Sequence, residues 1–380
     1  MTAPSLLVVA GEASGDRAAA AVVERLSGGD VFGLGGEALA RLGVDLVSDL
    51  RASTALGIGG TVARGSRILS AWRSVCRAAV RRRPSAALLV NYSEFNMRLA
   101  RHLHAANVKV LWYGAPQVWA WRRGRAAALA PHIDVMAVML PFEEALWLRA
   151  GVDARYVGHP ALETRPLASD EARRALGLAP DAAAIAILPG SRPHEVRRML
   201  PAMLETLRRL RRDRSRVDGR VLVAASLDEA TRVWLRRHCR AGGIGTFNVD
   251  PTAGAAEVLG GFDVAVCASG TASLEAVLAR AVPIIVYRVD VVTEIVARLL
   301  LQSPHVALPN ILLGRRAFHE LLQRDAEPRL MVEAVTQALD QREALLSACA
   351  EVEFALGRAR SPSLAVARVL AGWLPMSPSP

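Results

Sequence analysis

The sequence predicts two doubly wound α/β domains in tandem. Short apolar runs of strand length alternate with stretches of helical periodicity, the pattern of a parallel sheet covered on both faces. The alternation breaks at the polar, proline-bearing stretch Thr164–Pro180 and then starts again. Several apolar runs end in glycine- or hydroxyl-rich turns that open a helix, as at the carboxyl ends of parallel strands. The 380 residues exceed one ordinary core, and 52% hydrophobic residues suffice for two.

In chain order, strands are expected at Leu6–Val9, Val31–Gly33, Ala86–Val90, Val108–Trp112, Val135–Val138 and Ala154–Val157, with a helix over Arg17–Leu26 after the first turn. The second half offers strands at Ile185–Leu188, Val221–Ala224, Gly245–Val249, Val264–Cys267 and Pro283–Tyr287. Helices are expected over Arg197–Arg211 and Asp228–Ala241. The expected division is 1–166, 167–362 and a terminal helix and tail, 363–380, returning to the first domain. Low-complexity disorder is expected only at Pro375–Pro380. Two such sheets are expected to face each other, with the active site in the cleft between them.

The net charge of +11 points to an anionic partner: nucleic acid, an anionic lipid surface or a phosphorylated substrate. Lys109 is the only lysine, and a compositional bias toward arginine is the plain alternative. Cys76, Cys239, Cys267 and Cys349 form no CxxC or Cys/His cluster, against disulfides and structural zinc. No signal peptide is expected, and no run approaches 18 apolar residues. His159 ends a strand without a partner at metal-ligand spacing, so no metal site is expected.

Three turns carry chemistry. Gly11-Glu12-Ala13-Ser14-Gly15-Asp16 follows the first strand; it is neither a dinucleotide fingerprint nor a Walker loop. It is read either as a tight turn with capping residues or as two carboxylates, Glu12 and Asp16, at the cleft. Gly190-Ser191-Arg192 follows the first strand of the second half, where helix N–H groups and an arginine fork favour phosphate. Gly270-Thr271 and Glu275 open another helix. The alternative there is a capping box from Thr271 to Glu275. Together the two later turns form a diphosphate-sugar site.

Residues 64–82 place Arg64, Arg67, Arg73, Arg77, Arg81 and Arg82 on one half of a helical wheel. Leu69, Trp72, Val75, Cys76, Ala79 and Val80 fall on the other, with no acid between. That is either an interfacial membrane helix or a surface helix with a solvated arginine face. The Trp119-Ala120-Trp121-Arg122 block suits a membrane interface, a sugar site or single-stranded nucleic acid equally.

Gly11–Asp16, Pro116–Arg122, Leu140–Glu143, Val157–Pro160, Leu188–Arg192 with Glu195-Val196, Ala268–Glu275, Tyr287-Arg288, and Leu308–Asn310 with Gly314-Arg315 resemble, in order, the motifs of the lipid-A-disaccharide synthase family. The resemblance implies a GT-B fold without cofactors. It implies inverting transfer of 2,3-diacylglucosamine from its UDP conjugate to 2,3-diacylglucosamine 1-phosphate (lipid X), releasing UDP. It gives the nucleotide to the C-terminal domain: Gly190, Ser191, Arg192, Gly270, Thr271, Glu275 and Asn310, with Ser14 on the other side. It gives the acyl chains and the inner face of the inner membrane to the N-terminal domain. The implied location is cytoplasmic and peripheral, with no nucleic-acid partner; a homodimer is compatible with it.

The chain departs from the family on the acceptor side. The family's Asp-x-Pro-Asp-Phe-Asn reads Asn91-Tyr92-Ser93-Glu94-Phe95-Asn96, and its Met-Gly-x-x-Glu reads Leu56-Gly57-Ile58-Gly59-Gly60. An amide at 91 cannot accept the hydroxyl proton. Glu12, Asp16 and Glu94 are the remaining candidates, and slow transfer is expected. Two other readings stand beside this one: a catalytically impaired UDP-sugar-binding homologue, and a UDP-sugar 2-epimerase-like enzyme, which the lack of a histidine constellation disfavours.

Overall fold

The computed structural model describes residues 5–49, 61–118, 125–214, 216–289, 303–357, 361–374 and 377–378. The Trp119–Arg122 block, the Leu56–Gly60 segment and the side chains of Arg64 and Arg67 lie outside that description. Contacts divide the chain into two compact units: Met1–Glu163 with Ala359–Pro380, and Thr164–Arg358.

The first unit runs β1 (Ser5–Ala10), α1 (Ala13–Glu24), β2 (Leu26–Ser27), β3 (Asp30–Gly35), α2 (Glu37–Arg41), β4 (Asp45–Asp49), α3 (Thr61–Arg82), β5 (Ala86–Val90), α4 (Ser93–Ala105), β6 (Lys109–Tyr113), α5 (Arg125–Leu129), β7 (Val135–Val138), α6 (Pro141–Arg149) and β8 (Ala154–Tyr156). Seven parallel strands form one sheet in the order β4-β3-β1-β5-β6-β7-β8. All six residues of β1 are buried. Its side chains alternate between two cores, as the pleat requires. Leu7 and Val9 pack with α3, α4 and Trp147, whereas Leu6 and Val8 pack with α1 and α2.

The second unit runs α7 (Ser169–Leu176), β9 (Ala183–Leu188), α8 (Pro193–Asp213), β10 (Val217–Val223), α9 (Glu229–Ala241), β11 (Gly245–Asn248), α10 (Ala256–Leu259), β12 (Val264–Ala268), α11 (Thr271–Leu278), β13 (Val282–Tyr287), α12 (Leu308–Leu313), β14 (Glu320–Leu322), α13 (Pro328–Asp340) and α14 (Arg342–Leu356). Its six strands are parallel in the order β11-β10-β9-β12-β13-β14. Helix α8 begins four residues before the expected Arg197. Proline is tolerated at its first position because that N–H has no helical partner.

The chain then returns to the first unit. Helix α15 (Pro362–Ala371) buries Val366, Ala367 and Leu370 in the core that also holds α1. Within the expected disordered tail, Ser377–Pro378 forms β15, antiparallel to β2. Backbone pairing overrides the composition there. Glu163 anchors the return: one carboxylate oxygen accepts from Ser361 Oγ at 2.7 Å and from Ser363 Oγ at 2.6 Å.

Candidate active site

In each unit the strand order reverses between two neighbours, and ligands of doubly wound sheets bind outside the carboxyl ends at that point. The reversal falls between β1 and β5 in the first unit and between β9 and β12 in the second. Glu12 follows β1, Asn91 follows β5, Gly190–Arg192 follows β9, and Gly270 and Thr271 follow β12.

At the first of these points α1 starts at Ala13, so Ser14 and Asp16 stand in a helical first turn rather than in a loop. Glu12 is the exposed, extended residue before that helix. Asp16 is buried, and its carboxylate accepts from Gly36 N at 2.7 Å and Ala38 N at 2.8 Å, holding the start of α2. Burial raises its pKa, against the pull of those backbone bonds. Both Asp16 oxygens, expected at the cleft, are thus engaged by backbone N–H groups. Glu94 is exposed in the first turn of α4, where an acid also favours the helix dipole.

Asn91 and Tyr92 are both left-handed, with φ of 50° and 46°. That conformation costs a residue such as Tyr92 about 1–2 kcal/mol and an asparagine less, and strain of this kind clusters at functional sites. Asn91 N donates to Tyr113 O at 3.0 Å. Its side chain slots beside two glycines: a Cβ at Gly114 would stand 2.2 Å from Asn91 Oδ1, and one at Gly15 3.5 Å from Nδ2. The Tyr92 ring lies over Gly11 and stacks on Phe95 with centroids 5.0 Å apart.

In the second unit, Gly190 has a φ of 116°, and a Cβ there would lie 2.6 Å from Glu195 Oε2. Only glycine fits that approach. Arg192 is the extended residue before α8, and its Nη1 donates to Glu195 Oε1 at 2.8 Å. Glu195 is buried and also accepts from Tyr287, whose pKa is raised by burial first and by Glu195. Ser191 is exposed. Gly270, with φ of 148°, precedes α11, and Ser273 Oγ donates to its carbonyl at 2.9 Å. Thr271 is inside the helix and no side chain caps it, so the capping-box alternative does not hold; Glu275 is buried one turn on.

Asn310, which the family resemblance assigns to the nucleotide, lies in α12. It is fully buried; its Nδ2 donates to Phe318 O at 2.9 Å and Glu320 Oε1 at 2.8 Å, and its Oδ1 accepts from Ala317 N and Phe318 N, both at 2.9 Å. Its amide makes all four of its hydrogen bonds within its own loop.

Helix α3 buries Val75, Cys76, Ala78 and Ala79 and exposes Arg73, Arg77 and Arg81. Leu69 and Val80, expected on the packed half, are exposed by 46% and 67%, and Ile68 by 43%, so its apolar surface is larger than the wheel suggests. Arg82 leaves the basic face: it pairs with Asp30 and Asp45 and lies 4.6 Å over the Phe32 ring. Ser70, Trp72, Arg73, Cys76 and Arg77 line a pocket of about 480 Å³.

His159 is buried, its Nδ1 accepts from Ala161 N at 3.1 Å, and burial lowers its pKa from 6.5 to about 4. Its share of stability is complete above pH 6.5 and is lost as pH falls toward 4. The expected slope is about 1.4 kcal/mol per pH unit, and His159→Gln should flatten it. Urea unfolding between pH 6.5 and 4.5 checks this; an unchanged slope in the variant contradicts it. All four cysteines are free and buried. Among the described residues no group of three His, Cys, Asp or Glu side chains is arranged for a metal ion.

Sequence reading did not give roles to Glu195, Tyr287, Asn96 and Gly114. Glu195, Tyr287 and Asn96 stand within the quoted motifs, and Gly114 directly follows β6.

Solved structures share the fold. The chain aligns with an S. aureus MnaA–UDP co-structure at TM-score 0.66 and 10% identity, covering 100% of this chain and 99% of that one. Acinetobacter baumannii MurG gives TM-score 0.52 at 14% identity, covering 97% and 99%. The calicheamicin glycosyltransferase CalG4 gives 0.57 at 13% identity, covering 99% of each. Two parallel α/β units of this kind are the GT-B class of glycosyltransferase fold. The model of the lipid-A-disaccharide synthetase family matches residues 6–355. A lipid-A-disaccharide synthase of Myxococcus xanthus is 41% identical over 377 residues, 97% of each chain, and one of Anaeromyxobacter dehalogenans (strain 2CP-C) is 40% identical over 375, 96% of each. The chain belongs to the lipid-A-disaccharide synthetase family, a family of glycosyltransferases.

Proposed function

We propose that the chain transfers 2,3-diacylglucosamine from its UDP conjugate to the 6-hydroxyl of lipid X, inverting the anomeric centre. One observation carries the donor half of this reading. The Gly190–Arg192 and Gly270–Thr271 turns leave paired neighbours, β9 and β12, at the switch point of one sheet. Each ends at a helix N-terminus, where backbone N–H groups and the dipole favour a diphosphate, and Arg192 adds a permanent charge. The acceptor oxygen attacks the anomeric carbon as the bond to UDP breaks, and the hydroxyl proton passes to a base. In this reading residues 1–166 take the acceptor and 167–362 the donor.

Asn91 stands where the family has an acid and cannot take that proton. Glu12, beside it at the switch point, is the favoured partial replacement, with Glu94 second. Asn91→Asp should raise the single-turnover rate and Glu12→Gln should lower it, each about tenfold or more, since a positioned base contributes about 10²–10⁴-fold. No gain from the first and no loss from the second would remove this assignment. The binding-only alternative rests on the same asparagine and leads if wild type forms no disaccharide. The 2-epimerase alternative has only a shared fold behind it.

The exposed face of α3, with Arg73, Arg77, Arg81, Ile68 and Leu69, supports docking on the anionic inner face of the inner membrane. Among the described residues no helix is long and apolar enough to cross a membrane. Replacing Arg73, Arg77 and Arg81 with glutamate should release the protein from anionic vesicles, each arginine contributing on the order of 1 kcal/mol. Unchanged flotation would return α3 to a packed surface helix.

A further inference from the structure

We infer that Asn96 is a positioning residue for transfer: from inside the core it holds the left-handed Asn91–Tyr92 turn and so sets where residue 91 stands. This rests on the reading of the β1–β5 switch point as the acceptor side.

Asn96 is fully buried in α4, and its Nδ2 donates to Asn91 O at 2.9 Å and reaches Val90 O at 3.5 Å. Its backbone N donates to Tyr92 O at 3.0 Å. One residue therefore binds the carbonyls of both left-handed positions. The two carbonyls beside Nδ2 fix the orientation of the amide, since a flipped amide would set oxygen against oxygen. Its Oδ1 is then buried without a hydrogen-bond partner. An aliphatic side chain would fill the same space without that orphan oxygen, so packing alone does not call for an amide. What the amide supplies is the N–H that the turn's carbonyl needs.

The test compares wild type, Asn96→Leu and the double variant Asn96→Leu/Tyr92→Gly, each scored per folded molecule. Asn96→Leu should lower the single-turnover transfer rate at least tenfold and leave the UDP dissociation constant within twofold, because the diphosphate turns lie in the other unit. Glycine adopts positive φ freely. Adding Tyr92→Gly to Asn96→Leu should therefore recover part of the lost rate, whereas a packing role would be worsened by losing the ring. Hydrogen exchange gives a readout independent of activity: amides 91–96 should exchange at least tenfold faster in Asn96→Leu, with β6 unchanged. Unchanged exchange, an unchanged rate per folded molecule, or no recovery by the glycine each overturns the inference. A wild type that forms no disaccharide would instead sink the transferase reading, and exchange would still decide whether Asn96 holds the turn.

Discussion

Asn310→Ala is expected to lower the stability of the second unit by about 3 kcal/mol, the largest single effect foreseen here. The side chain is fully buried and makes four hydrogen bonds. Its loss orphans Phe318 O and the N–H groups of Ala317 and Phe318, and it strips a donor from Glu320. That carboxylate is itself buried and also accepts from Val306 N and Ala307 N. For a unit of this size the melting temperature should fall by roughly 6–12 °C. UDP affinity per folded molecule should change little, because the side-chain amide already makes four hydrogen bonds within its loop. Calorimetric unfolding and UDP titration separate the possibilities. A normal melting temperature with weakened UDP binding would instead favour the nucleotide role that the family resemblance implies.

Arg192→Ala is expected to weaken UDP binding by about 2 kcal/mol, roughly thirtyfold. Arg192 is already oriented by Glu195, so little ordering is needed when a diphosphate arrives. Its removal takes away the permanent charge and leaves the buried Glu195 carboxylate uncompensated beside Gly190. The loss should therefore exceed that of one exposed ion pair. Arg192→Lys should fall between, keeping the charge but not the fork. Isothermal titration with UDP checks both, and an Arg192→Ala protein with wild-type affinity would contradict the placement of the diphosphate.

The strands were largely legible because buried parallel strands must be continuous apolar runs. Ala86–Val90 and Val135–Val138 fall where the sequence places them. The edge strands β4 and β14 were not, because edge positions need not be apolar: β4 reads Asp-Leu-Val-Ser-Asp, and β14 has three residues. Helix starts were placed late at Ala13 and Pro193, where small and hydroxyl residues or a proline look like loop although they suit a first turn.

The turns after β1, β9 and β12 were legible as sites because each follows an apolar run with glycine. What a polar side chain turns toward was not. Asp16 and Asn310 look like ligand groups in sequence, yet each is occupied by backbone N–H groups brought in by the fold. The paired left-handed residues at 91 and 92 were also hidden, since asparagine adopts that conformation only some of the time and tyrosine gives no sign of it.

The central claim is tested most directly by incubating the purified wild-type chain with UDP-2,3-diacylglucosamine and lipid X and following both products. Slow formation of the lipid A disaccharide 1-phosphate, matched mole for mole by UDP release and requiring lipid X, is the predicted result. UDP-sugar bound without turnover, or converted to its 2-epimer without lipid X, would contradict it.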